Sequence, residues 1–199
     1  MPSTRARSAG SVIVGVDPGL NITGYGVIRA GADRLALLDA GVVRPSPRAP
    51  LAQRILHVFD ELTRVIRSAR PEAIVLESLY IHYAHVTTAA MMAHARSAAC
   101  LVSAQQGVPL IEFLPTRVKK AVTGYGYASK EQVARAVSRW LNVDVEGWPS
   151  DQTDALALAI AYAHAGDVPQ ELRRRAPRRG RRALPPSLQA AVDAQESRA

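Results

Sequence analysis

The sequence predicts an α/β fold with a central mixed five-stranded sheet, three antiparallel strands followed by two parallel ones, flanked by helices. Two observations predict it. The first part of the chain holds short apolar runs joined by turn-rich links such as AGAD, which is typical of antiparallel strands. Farther along, apolar runs alternate with segments of helical period, which is typical of parallel strands joined by crossovers.

The opening of the chain supplies the antiparallel strands and the first helix. The strands are predicted in VIVGVDPGL, YGVIRA and RLALLDAGVVRP. From Leu51 to Arg70, apolar residues recur at a helical period, and Pro71 follows the end of this helix. The antiparallel part of the sheet is therefore complete before the first helix begins.

The rest of the folded region alternates strands and helices. EAIVLES and PLIEFLP are predicted as strands, and the alanine-rich helix between them extends from Val86 until Gly107 stops it. Further helices are predicted over residues 116–122, 129–141 and about 152–164. Because strand–helix–strand connections in one sheet are right-handed, we expect the fourth and fifth strands to lie parallel to the first.

Two acidic residues end neighbouring strands of this predicted sheet. Asp17 ends the first apolar run and Glu77 ends the fourth. An ionised carboxylate at the end of a buried strand must be paired, hydrogen-bonded or coordinated to a metal. Ligands of open α/β sheets bind at the carboxyl ends of the strands. We therefore expect Asp17 and Glu77 to come together in a ligand site.

Asp151 and Asp154 stand where the last helix begins. Either can cap free backbone N–H groups, and acids near a helix N-terminus also suit the dipole. Since residues three apart share a helix face, both can also point toward Asp17 and Glu77. Four carboxylates in one cleft need compensating charge. Oxygen ligands without a Cys pair or a His-rich site favour Mg²⁺ or Mn²⁺, and two such ions about 4 Å apart can hydrolyse a phosphodiester.

The distribution of charge predicts a polyanionic partner. The net charge is +8, of which +5 falls from Glu171 onward and +2 comes from Arg5 and Arg7, leaving +1 for residues 12–170. An arginine-rich end of this kind indicates nucleic acid, although a basic tail can also serve solubility alone.

The domain prediction follows from composition. We expect a mobile N-terminal tail at 1–11, one folded domain at 12–167 and a basic, disordered C-terminal tail at 168–199. No apolar stretch is long enough to span a bilayer. The one cysteine, Cys100, favours a reducing compartment, so a cytoplasmic location is expected.

Four motifs, in this order and spacing, resemble the RuvC-type Holliday junction resolvases: GVDPGLNITGYGVI, IVLESLY, VKKAVTGYGYASKEQV and SDQTDALALAIAYAH. The resemblance covers roughly 12–164. It implies an RNase H-like fold, a homodimer, and paired symmetric cuts across a four-way DNA junction in recombination and repair, with branch-migration motor proteins as partners. It also implies that two metal ions in each active site are held by Asp17, Glu77, Asp151 and Asp154.

The resemblance also implies DNA contacts. Lys119 and Lys130 match basic positions that contact the junction backbone, and they lie beside a glycine-containing loop that phosphate could approach closely. Tyr80 matches an aromatic residue near the junction centre. Its ring can stack on an unpaired base, or it can pack on the core.

Three further residues are predicted to bind DNA. The spacing of His82 and His85 resembles that of metal ligands, but no third soft ligand is near, so DNA contact or plain solvent exposure is favoured. Arg96, on the long alanine-rich helix, is the third. Met91 and Met92 of the same helix are interpreted as core or dimer contacts.

Three other functions share parts of this pattern. A sugar-kinase or actin-like ATPase has a similar strand-turn DPG, but this chain lacks the length and the second phosphate loop to enclose ATP. A non-catalytic nucleic-acid-binding protein has no need of four acids where DNA docks. A different RNase H-like nuclease, acting on RNA or on ends, is separated from a junction resolvase by the family resemblance alone.

Overall fold

The fold is described by a computed structural model for residues 10–78 and 86–165. Its strands form one five-stranded sheet. They are β1 (Ser11–Asp17), β2 (Thr23–Ala30), β3 (Leu35–Val43), β4 (Ala73–Glu77) and β5 (Leu110–Phe113). The strand order is β3-β2-β1-β4-β5, with β1, β2 and β3 antiparallel and with β4 and β5 parallel to β1. The predicted mixed sheet is confirmed, and its first strand lies at the centre.

The helices follow the predicted order and differ from the predicted bounds by about two residues at most. They are α1 (Leu51–Ala69), α2 (Val86–Gln106), α3 (Pro115–Thr123), α4 (Lys130–Leu141) and α5 (Ser150–His164). Within the two described ranges, no helix is both long and apolar enough to cross a membrane. The strand β1 begins at Ser11, one residue before the predicted start of the domain, whose limits otherwise stay predictions.

Local sequence explains where the helix α4 begins. The hydroxyl of Ser129 accepts a hydrogen bond from the backbone N–H of Gln132, and the Gln132 side chain accepts one from the backbone N–H of Ser129 at 2.8 Å. This capping box satisfies two N–H groups that the helix cannot pair. It fixes the position of Lys130, the first residue of the helix.

Helices cover both faces of the sheet. On one face, α1 and α2 pack on Val14 and Val16 of the central strand. On the other face, α3, α4 and α5 pack on the side of Ile13. Because side chains alternate along a strand, Asp17 belongs to the face of Ile13. The carboxyl end of the central strand therefore meets α3, α4 and α5.

The helix α5 lies directly on the sheet because two glycines leave room for it. A Cβ atom on Gly15 would overlap the carbonyl oxygen of Ala155, and one on Gly24 would overlap the carbonyl oxygen of Asp151. From Ala155 to Tyr162 every residue of this helix is buried. The close approach brings the first turn of α5 to the carboxyl end of β1.

Candidate active site

The strand register places the two strand-end acids side by side. Val16 of β1 is paired with Leu76 of β4, and the next residues along the two parallel strands are Asp17 and Glu77. Both acids line a cavity of about 310 Å³. The sequence-based expectation that they share one edge of the sheet agrees with this geometry.

The same cavity receives one acid from α5 and two cations from the neighbouring helices. Asp154 comes from the second turn of α5, Lys119 from the middle of α3 and Lys130 from the start of α4. The Nζ atom of Lys130 lies 3.6 Å from Oδ2 of Asp154. Its side chain is 72% exposed, so the ammonium group is also open to an incoming anion.

Asp151 lies beside this cavity and does not line it. It contributes to an adjoining cavity of about 370 Å³, together with Asn21 of the loop between β1 and β2 and Arg54 of α1. Its charge still acts on Asp17 and on Asp154. The four predicted acids thus form one electrostatic cluster, distributed over two neighbouring hollows.

Burial and mutual repulsion raise the pKa values of Asp17, Glu77 and Asp154. Burial, followed by the charges of Asp154, Asp151 and Glu77, raises the pKa of Asp17 to about 7, with Lys130 opposing the shift. Burial also raises the pKa of Glu77, and the Asp154 charge adds to it, while nearby lysines oppose it. For Asp154, burial raises the pKa and Lys130 partly opposes the rise. The site therefore carries more negative charge than its own lysines neutralise.

The donor set fits a hard divalent cation. Carboxylate oxygens are the ligands that Mg²⁺ and Mn²⁺ prefer, and the raised pKa values of Asp17, Glu77 and Asp154 mark a place where added positive charge is stabilising. Across the described ranges, no group of three or more His, Cys, Asp or Glu side chains is arranged closely enough to hold a metal ion without rearrangement. The carboxylates would have to approach one another around a cation, which removes the repulsion between them.

Arg96 has a role at the site that sequence reasoning missed. Its Nη1 atom donates a hydrogen bond to the carbonyl oxygen of Glu77 at 2.6 Å, and its Nη2 atom forms an ion pair with Glu112 of β5. The side chain is only 12% exposed. Arg96 thus ties the end of β4, and with it the Glu77 backbone, to α2 and β5. Its predicted contact with DNA stays a prediction.

The remaining predicted contacts lie outside the described residues. Tyr80, His82 and His85 fall between 78 and 86, and the arginine-rich tail falls beyond 165. Their proposed contacts with DNA therefore stay predictions.

The fold and the site together define the class of protein. A β3-β2-β1-β4-β5 sheet covered by helices on both faces, with acids at the carboxyl ends of its central parallel strands, is an RNase H-like domain. The family model "Crossover junction endodeoxyribonuclease RuvC" matches residues 13–162. This chain belongs to the RuvC family.

Individual relatives agree with this assignment. RuvC of Pelotomaculum thermopropionicum is 39% identical over 153 residues, covering 77% of this chain and 93% of the relative. RuvC of Treponema pallidum is 41% identical over 159 residues, covering 80% of this chain and 81% of the relative. Thermus thermophilus RuvC in complex with Holliday junction substrate superposes with a TM-score of 0.73 at 33% identity, covering 77% of this chain and 93% of that one.

Proposed function

We propose that this protein is a metal-dependent endodeoxyribonuclease that resolves Holliday junctions by paired symmetric strand cuts, in recombination and DNA repair. One observation carries the proposal. Three acids and two lysines line one cavity at the carboxyl edge of the sheet, in a chain of the RuvC family. Support for the substrate comes from the related T. thermophilus RuvC, whose structure contains Holliday junction substrate.

The proposed metal ligands are Asp17, Glu77, Asp151 and Asp154, holding two Mg²⁺ or Mn²⁺ ions in each active site. Such ions, when bound, activate water and stabilise the charge that develops on a phosphodiester. Asp17 must release its proton to become a ligand, because burial and its neighbours raise its pKa to about 7. Asp154 keeps its Oδ2 atom beside Lys130, and this contact orients the carboxylate at the cavity wall.

The proposed DNA contacts surround this cavity. Lys119 and Lys130 would bind the phosphates that flank the cut, since both line the cavity and Lys130 is largely exposed. Tyr80 would stack on an unpaired base near the junction centre. We also predict that His82, His85 and Arg96 contact DNA. Arg96 already has two protein partners, the backbone of Glu77 and the side chain of Glu112.

The proposal extends to assembly and location. A junction with two equivalent strands to cut calls for two equivalent active sites, so the enzyme would act as a homodimer. Motor proteins that drive branch migration would be its partners, and the cytoplasm its location. The proposed folded unit is 12–167, between an N-terminal tail at 1–11 and a basic C-terminal tail at 168–199.

The test compares three substrates: a mobile four-way junction, a plain duplex and an RNA–DNA hybrid, each with and without Mg²⁺. We expect symmetric cuts in the junction alone, and only with the metal. The Asp154→Asn variant serves as the control, because it keeps the side-chain volume but loses the charge. Cutting of the hybrid in preference to the junction would instead identify an RNase H-like nuclease with another substrate.

A further inference from the structure

The hairpin formed by α3 and α4 has an excess of positive charge that the rest of the domain does not share. Residues 115–141 contain six basic side chains and one acidic one, a net charge of +5. Residues 12–170 have a net charge of +1, so the remainder carries −4. The basic side chains are Arg117, Lys119, Lys120, Lys130, Arg135 and Arg139. A concentration of one sign on a single element marks the surface that meets a polyanion.

Only two of these cations belong to the active site. Lys119 and Lys130 line the cavity of the acids, whereas Arg135 and Arg139 line a separate open groove of about 660 Å³ between α3 and α4. The groove shares no lining residue with the active-site cavity. The active site therefore does not account for Arg135 and Arg139.

The groove offers cationic and aromatic contacts, and two arginines supply the cationic ones. Arg135 and Arg139 are exposed and stand one helical turn apart, a rise of about 6 Å along the axis. One DNA strand carries a phosphate about every 3.4 Å along its axis, so this spacing corresponds to phosphates about two positions apart.

Two aromatic rings complete the groove. Trp140 is 46% exposed, and its Nε1 atom donates a hydrogen bond to the carbonyl oxygen of Val122 at 2.9 Å, which holds the ring in place. Tyr125 also lines the groove and is 60% exposed. Fixed rings beside arginines can pack against deoxyribose while the guanidinium groups bind phosphate.

We propose that this groove is a second DNA contact, which holds the sugar–phosphate backbone of a duplex arm beyond the cut. From Lys130 to Arg139 the helix rises about 14 Å, the length of about four base pairs. Arg135 and Arg139 lie on the side of α4 that turns away from Lys130, so an arm would reach the groove only after it has left the active-site cavity. The inference rests on the proposed junction cleavage and assigns it an arm-binding surface.

The experiment is a salt titration of junction affinity, measured by fluorescence anisotropy in metal-free buffer so that no cutting occurs. The variant is Arg135→Ala with Arg139→Ala. The matched control is Arg48→Ala with Arg67→Ala, which removes the same charge from exposed positions before and within α1, the helix on the other face of the sheet. If both groove arginines bind phosphate, the slope of log affinity against log salt should flatten by about 1.8 in the groove variant. The control should keep the wild-type slope.

A second measurement locates the contact. Neutral methylphosphonates are placed singly along the arms, and the affinity lost at each position is measured with the wild type and with the groove variant. We expect one short run of positions, about four base pairs from the cut, to matter for the wild type and not for the groove variant. Equal slopes in the groove and control variants, or no such run, would overturn the proposal and leave the groove to an acidic protein partner. Wild-type protein that binds junctions but does not cut them when Mg²⁺ is added would reject the proposed function, while the slopes measured without metal would still decide the groove.

Discussion

The carboxylate of Asp17 sets the pH response of the site. Its pKa in the folded protein, about 7, lies above the ordinary value of 3.8. The stability it contributes is therefore full below about pH 4 and is lost as pH rises through 7, at a cost of at most about 4 kcal/mol. Asp17→Asn removes this dependence, so in EDTA the variant should gain stability relative to wild type between pH 5 and pH 8. The midpoints of urea unfolding at pH 5 and at pH 8, compared between the variant and the wild type, measure this gain.

The control for Asp17 is Asp60→Asn, an amide substitution at an exposed position of α1. It should change neither the pH response nor cutting, whereas Asp17→Asn should abolish cutting with Mg²⁺. Added Mg²⁺ should raise the wild-type midpoint at pH 8, because it binds the ionised carboxylates of the folded state. A wild-type midpoint that keeps pace with the variant from pH 5 to pH 8 would contradict the assigned electrostatics.

Arg96 is predicted to act by positioning Glu77. Arg96→Gln leaves the carbonyl oxygen of Glu77 without its charged donor, so cutting should fall at least about tenfold while junction affinity in metal-free buffer changes little. Arg96→Lys should recover part of the rate. Glu112→Gln, which breaks the ion pair but keeps the cation, should also slow cutting. A direct DNA contact predicts the reverse: Arg96→Gln would flatten the salt slope by about 0.9, and Glu112→Gln would leave cutting intact.

At the scale of elements, the contact between α5 and the sheet decides where two of the acids stand. Gly15→Ala would drive its new methyl group into the carbonyl oxygen of Ala155 and within 2.9 Å of the Ala159 backbone nitrogen. Backbone atoms cannot rotate away, so we expect a loss of about 1–3 kcal/mol in the free energy of unfolding. The helix must also move, which displaces Asp154 and reduces cutting. A variant with wild-type stability and rate would show that α5 does not need this contact.

At the scale of the molecule, the proposed dimer predicts how the two cuts depend on its subunits. Heterodimers of untagged wild-type and tagged Asp154→Asn chains, purified through the tag, would hold one intact site, and the variant homodimers purified with them would hold none. The heterodimers should nick one strand of a junction and leave the other whole, because each site serves one strand. Gel analysis of end-labelled strands under denaturing conditions separates these outcomes. Paired cuts at the wild-type ratio would show that one site can make both.

The sequence by itself determined the arrangement of elements and the edge of the sheet that carries the acids. Apolar periods, Pro71 and Gly107 are local signals, and they act on neighbours along the chain. The handedness of the crossovers then fixed Asp17 beside Glu77 without any knowledge of side-chain packing.

Only the tertiary structure decided how side chains from distant segments meet. From the sequence, Arg96 is predicted to contact DNA. In the structure it donates a hydrogen bond to the backbone of Glu77 and forms an ion pair with Glu112, because α2 packs beside β4 and β5. Asp151 and Asp154 share a helix face in sequence terms, yet only Asp154 lines the main cavity. Such contacts depend on how closely whole elements approach one another, and that distance is set by packing across the core, which no local pattern encodes.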